Sequence, residues 1–169
     1  PAVRDVLAGV RRSLGVAPAQ VAPAVIGEIR RMVAHLPDTV AGKRDRALIL
    51  SGFAGALRRS ELVALEFADL ERRDEGYLVR IRRSKGDQEA AGQTVALPFG
   101  HDPETCPVTA IEAWLEAAEI NDGPLFRPVN RGDHATGRPL SPQSVALIVK
   151  RAAEAAGLDP DRYSGHSLR

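Results

Sequence analysis

The chain predicts an α+β fold, mainly α-helical, with one small three-stranded antiparallel sheet. Three observations carry that expectation. Most of the 169 residues fall into apolar stripes that repeat every three or four positions, as helices packed on one side require. One stretch, between residues 70 and 98, drops that period for short segments, two of which alternate apolar with charged residues. Apolar residues make up 44% of the chain but aromatics only 4%, so the core is built from Ala, Leu, Val and Ile.

The first stripe, Val3, Val6, Leu7, Val10 and Leu14, predicts a helix over 3–14 that Gly15-Val16-Ala17-Pro18 breaks. Residues 15–22 read as a linker, so 1–21 are expected to be the tail helix of a preceding domain plus its connection. Residues 22–169 then form a second domain. Its first helix runs from about Pro23, placed near a first turn, to His35, and Leu36-Pro37-Asp38 ends it. The next covers roughly 43–57, where Gly52 and Gly55 point to close packing. A short helix follows from Ser60, read as its N-cap, to about Glu66.

Leu70–Arg73, Tyr77–Arg82 and Thr94–Pro98 are the expected strands, with their charges on one side of the sheet. Asp74-Glu75-Gly76 joins the first two. Ser84–Gln93, carrying Lys85-Gly86-Asp87, is a longer hairpin loop. Pro107–Glu119 returns to helical spacing through Val108, Ile111, Trp114 and Leu115. Residues 121–140, rich in Gly, Pro and Arg, form a long loop around Leu125-Phe126. Ser141-Pro142 is a strong N-cap and first-turn pair opening a helix to about Ala156, with Gly157 as its C-cap. Residues 158–163 are loop, and Ser164 is positioned to cap a last helix.

Charge balance does not announce a nucleic-acid binder, because the net charge is +1. The cations are 20 Arg and only 3 Lys, at positions 43, 85 and 150, much of which follows from composition bias. Each Lys is more informative for its rarity, because lysine can donate its proton near physiological pH and arginine cannot. Cys106 stands alone, so no disulfide framework forms within the chain, and no Cys, His or carboxylate cluster has metal-ligand spacing. No cofactor is therefore expected. No apolar run approaches membrane-spanning length and no signal-peptide core opens the chain, so a cytoplasmic location is expected. The sequence starts without Met and runs out inside an expected helix, which reads as a piece of a longer chain.

The candidate chemistry lies in Arg58 and Glu61, Lys85, and His166-Ser167-Leu168-Arg169. Each has a bland explanation. Arg58 and Glu61 suit a surface i,i+3 ion pair, worth ~0.2–0.5 kcal/mol. Lys85 suits a solvated hairpin tip, and His166 a helix-terminal capping or packing role. About 0.5 His-x-x-Arg pairs are expected by chance in such a composition. On a helix, however, His-x-x-Arg puts an imidazole and a guanidinium on one face, where both can reach one phosphate.

Order changes the weight. Gly55-Ala56-Leu57-Arg58-Arg59-Ser60-Glu61-Leu62 lies at a helix-to-helix junction, a three-stranded sheet follows, Lys85 falls between its second and third strands, and His166-x-x-Arg169 comes two helices later. This ordered set resembles the tyrosine recombinases, the phage integrase and Xer-like family, over nearly the whole chain from about residue 22. The resemblance implies a DNA breaking-rejoining catalytic domain. By position, Arg58 resembles the family's first catalytic arginine, Glu61 the acidic residue that braces it, Lys85 the lysine of the β-hairpin, and His166 and Arg169 the His-x-x-Arg. Arg59 falls in the family register as a surface or packing residue, and a swap with Arg58 stays open. Arg59, Arg82 and Arg83 are candidate DNA contacts.

The resemblance further implies a tyrosine that attacks a DNA phosphorus without a metal, forming a 3′-phosphotyrosyl link and releasing a 5′-hydroxyl. Two guanidiniums would clamp the phosphate, Lys85 would protonate the leaving oxygen, and His166 would shuttle the nucleophile's proton. The family's nucleophile lies downstream of the second arginine. Neither Tyr77 nor Tyr163 matches it, so the domain is expected to be incomplete at its C-terminus and residues 1–169 alone unable to cleave DNA. Double-stranded DNA is the implied partner, with a tetramer on DNA for the complete protein, no membrane, and a monomer for the isolated chain. Arg58 and Arg169 are expected to share one concave surface, and the Lys85 hairpin to be mobile without DNA. A non-enzymatic DNA-binding remnant is the alternative, with Arg72, Arg73, Arg80 and the hairpin cations tracking phosphates. An all-helical scaffold with scattered Arg leaves the order of the motifs unexplained.

Overall fold

The computed structural model describes residues 25–82, 92–164 and 167–168. Among them the chain forms five α-helices and one antiparallel sheet. Their order is α1 (Ile26–Ala34), α2 (Val40–Ala54), α3 (Arg59–Ala64), β1 (Leu70–Arg73), β2 (Gly76–Ile81), β3 (Gln93–Pro98), α4 (Pro107–Ala117) and α5 (Pro142–Ala155). The fold is therefore α+β and mainly helical, with the three-stranded sheet in sequential order β1-β2-β3. The helix expected over 3–14 and the linker after it lie outside the described residues. So does most of the 84–93 loop.

Helix α2 is the central element and packs most extensively along α4. Leu48, Ile49, Ile111, Trp114, Phe126 and Val149 are among the fully buried core residues. The Trp114 indole N–H donates to the Leu125 carbonyl at 2.8 Å, so the largest core side chain also pins the 121–140 loop. That loop is not slack. Its Asp133 carboxylate accepts the Val40 and Ala41 N–H groups at 2.8 and 3.0 Å, while the Thr39 hydroxyl accepts Gly42 N–H at 3.0 Å. Three first-turn donors of α2 are thereby satisfied. This is why α2 starts at Val40, three residues before the sequence expectation.

Helix α2 also ends earlier than expected, at Ala54. Leu57 N–H reaches back to Gly52 O at 2.9 Å and Ala56 N–H to Phe53 O at 3.2 Å, with Ala56 at φ 47°. This is a Schellman ending in which alanine holds the left-handed position that glycine usually takes. Ser60 does not cap α3. The N-cap is Arg58, and Ser60 lies inside the helix.

In the sheet, Arg73 pairs with Gly76 and Leu70 with Val79, which leaves Asp74-Glu75 as a two-residue turn. Gly76 has φ 147°, and a Cβ there would sit 2.1 Å from Leu97 O, so no other residue fits without displacement. Charges occupy both faces rather than one. Arg72 pairs with Tyr77, on the strand face that buries Val79 and Ile81, and its guanidinium lies 5.5 Å from the Tyr77 ring centre and 4.9 Å from that of Phe99. An ion pair at 3.1 Å joins Arg72 to Glu112 on α4. Gly157 follows the C-cap Ala156 rather than being the cap, with φ 68°.

Candidate active site

The Schellman turn places Arg58 one residue after buried Leu57, at the head of α3. Arg58 N–H donates to Glu61 Oε2 at 2.7 Å, and its Nη1 donates to Glu61 Oε1 at 2.6 Å. One carboxylate thus caps the helix and holds the capping residue's own side chain. Glu61 is 7% exposed at its side chain and Arg58 29%, so the acid is buried and the arginine side chain mostly so. A cation oriented this way can receive an anion without first being ordered, which is the condition for bidentate recognition of a phosphate.

The end of the described chain docks beside this junction. Ser164 N–H donates to Ser167 Oγ at 3.0 Å and Ser167 N–H returns to Ser164 O at 2.9 Å. Ser167 and Leu168 are both buried. A Cβ on Gly52 would meet Leu168 Cδ1 at 2.8 Å and Leu62 Cδ1 at 3.1 Å, so that glycine opens the space in which Leu168 reaches α2 and α3. Lys85, Arg83, His166 and Arg169 themselves lie outside the described residues, as does the expectation that Arg58 and Arg169 share a surface and that the Lys85 hairpin is mobile.

Arg59 is exposed on α3. Arg82 is engaged elsewhere in the protein. Its Nε donates to Asp69 Oδ1 at 2.8 Å and its Nη2 to Glu66 Oε2 at 2.7 Å, and these two carboxylates push its already high pKa further up. Sequence reasoning missed Glu66 and Asp69. The only available signal was the Glu66-x-x-Asp69 spacing, because the Asp69 carboxylate caps the Glu66 N–H at 2.9 Å around a single 3-10 turn.

Neither tyrosine has the surroundings of an activated nucleophile. Tyr163 is buried, and burial together with the nearby Glu28 carboxylate raises its pKa. Tyr77 is half-buried in the sheet; burial and then Glu112 raise its pKa against the opposing Arg72. A phenol whose pKa is pushed up is a poorer source of phenolate. Among the described residues, no group of three or more His, Cys, Asp or Glu is placed to hold a metal, and no helix is long and apolar enough to cross a membrane. A cavity of about 290 Å³ beside the first hairpin is lined by Gly76, Tyr77, Leu78, Ala96 and Pro98 and includes neither Arg58 nor Arg82.

A mostly helical domain with a braced arginine at one helix junction, followed by a three-stranded sheet, has the architecture of a recombinase catalytic domain. The described fold superposes on XerA recombinase with a TM-score of 0.62 at 14% identity, covering 89% of this chain and 47% of that one. It superposes equally on XerH site-specific recombinase bound to its difH substrate, with a TM-score of 0.62 at 20% identity over 89% and 40% of the two chains. Residues 27–169 match the phage integrase family. The chain is 41% identical over 169 residues to an integrase/recombinase XerD homolog of Selenomonas ruminantium, covering 99% of this chain and 49% of the relative. It is 35% identical over 131 residues to the tyrosine recombinase XerD of Xanthomonas campestris pv. campestris, covering 78% and 39%. The chain belongs to the phage integrase family of tyrosine recombinases. It spans half or less of the length of these curated relatives.

Proposed function

We propose that this chain is part of the catalytic domain of a site-specific DNA recombinase that cuts and rejoins duplex DNA by metal-free transesterification. The observation that carries the reading is the Arg58–Glu61 pair at the head of α3, inside the fold and family just described. A tyrosine oxygen attacks the phosphorus, the P–O bond to the 5′-oxygen breaks, and a 3′-phosphotyrosyl ester forms. Arg58 and Arg169 offset the charge that grows on the non-bridging oxygens. Lys85 supplies the proton that the departing 5′-oxygen takes up, and His166 accepts the proton from the tyrosine. Glu61 acts on Arg58 and is a positioning residue. The attacking tyrosine is neither Tyr77 nor Tyr163, so residues 1–169 alone bind but do not cleave. Exchange of strands between two duplexes requires several protomers on DNA, and a tetramer is the assembly this reading takes.

The test uses the full gene product, incubated with duplex DNA and then stripped under denaturing conditions. A covalent adduct whose released strand ends in a 5′-hydroxyl, with a nucleotide mapped to a tyrosine by mass spectrometry, is the expected result. DNA binding without any adduct would overturn the cleavage reading and leave a binding protein.

A further inference from the structure

We propose that Arg82 is a positioning residue, locking the outgoing end of β2 onto the turn that follows α3, and not a contact for a DNA phosphate. This rests on the recombinase reading above. Three observations carry it. First, the turn that Arg82 grips is itself firmly held: Leu65 O accepts Leu125 N–H at 2.8 Å, Phe67 N–H donates to Gly123 O at 2.8 Å, and Glu66 N–H donates to Asp69 Oδ2 at 2.9 Å. Second, the Asp69 side chain is only 2% exposed and its two oxygens are spoken for by Glu66 N–H and Arg82 Nε. A buried carboxylate needs such a partner, so Arg82 is tied there. Third, one guanidinium faces two carboxylates, so its charge is offset within the protein.

The consequence is mechanical. Residues 65–69 continue directly from α3, whose head carries Arg58 and Glu61. Arg82 is the first residue after β2, and Lys85 follows three positions later in the sequence. The Arg82 bridge therefore ties the strand leading toward the expected proton donor to the element that carries the expected phosphate ligand. Arg82 touches neither DNA nor the reacting atoms in this account.

The experiment compares the full gene product with its Arg82→Gln, Arg82→Lys and Asp69→Asn variants and the Arg82→Gln/Asp69→Asn double variant. Each is measured for DNA affinity across a salt series and for single-turnover cleavage at saturating DNA. Two substrates are used, one with the ordinary 5′-bridging oxygen and one with sulfur there, a leaving group that needs no proton. The expected result for Arg82→Gln is an unchanged salt slope, cleavage of the oxygen substrate slowed by ~10- to 100-fold, and cleavage of the sulfur substrate largely restored. Asp69→Asn should do the same, the double variant should be no worse than either single one, and Arg82→Lys should fall between.

A salt slope reduced by about 0.9, with tighter binding by Asp69→Asn, would make Arg82 a phosphate contact and overturn the proposal. Equal slowing on both substrates would reduce Arg82 to general stability, also overturning it, and thermal melting identifies that case. Should Arg82→Gln fail to fold, Asp69→Asn and Arg82→Lys carry the same comparison. Failure of the unmodified protein to cleave either substrate sinks the recombinase reading itself, whereas undiminished cleavage by Arg82→Gln sinks only this inference.

Discussion

Two arginine–carboxylate clusters stand at the two ends of one short stretch of chain, and they differ in reach: Arg58 and Glu61 are 3 residues apart, Arg82 and Asp69 13. At the head of α3, Glu61 holds Arg58 within one helical turn. Beyond the tail of α3, Glu66 and Asp69 together hold Arg82. The residue types are the same. At Arg58 a carboxylate orients the guanidinium within one helical turn; at Arg82 two carboxylates tie the end of a strand to a 3-10 turn.

The largest test of that contrast is Arg58→Lys, which keeps the charge and removes the planar fork. Loss of one preorganised donor to the developing phosphate charge should slow single-turnover cleavage by ~100- to 1000-fold, against the smaller loss expected at Arg82. Near-normal cleavage by the lysine variant would erase the distinction between the two clusters.

Leu168→Ala comes next. It empties a fully buried site packed against Gly52 and Leu62, and a denaturant titration should show a loss of ~2–4 kcal/mol. Leu168 packs beside Leu62, on the helix whose head carries Arg58. A loss below ~1 kcal/mol would mean that the site collapses freely and that the chain end does not brace the α2–α3 junction.

The smallest effect concerns the frame beneath both clusters. The Val40 and Ala41 N–H groups hold the Asp133 carboxyl below the usual carboxylate range. Its folded pKa is therefore lower than its unfolded value, so its contribution is fully present above about pH 4 and fades as the pH falls below that. Asp133→Asn should lower the urea midpoint slightly at neutral pH and flatten the decline of stability below about pH 4. Parallel pH profiles for the two proteins would show that the loop does not anchor α2 through this charge.

Local pattern made the helices and the sheet legible. Ser141-Pro142 announced the start of α5 because a side-chain oxygen cap and a proline first turn are local devices. The strands were bounded to within a residue because alternation and the Asp74-Glu75-Gly76 turn act over a few positions. Failures occurred where a distant partner decided. Asp133 is 93 residues from the Val40 N–H it caps, so the true start of α2 could not be read locally. Ser60 looked like the cap of α3, yet Arg58 took that position because the Schellman turn at Ala56 delivers the chain there.

The sequence by itself determined the family, the fold class and the ordered set of Arg58, Lys85 and His166-x-x-Arg169, because spacing along the chain is what a family motif records. Only the tertiary structure decided the partners of Arg82. Arg58 and Glu61 are three residues apart and share one helical turn, so their pairing was foreseeable. Arg82 meets Asp69 across the gap between a strand and a 3-10 turn. That meeting exists because β1 and β2 are hydrogen-bonded in one register and the 65–69 segment is pinned to residues 123–125, and neither constraint is written in the residues around Arg82.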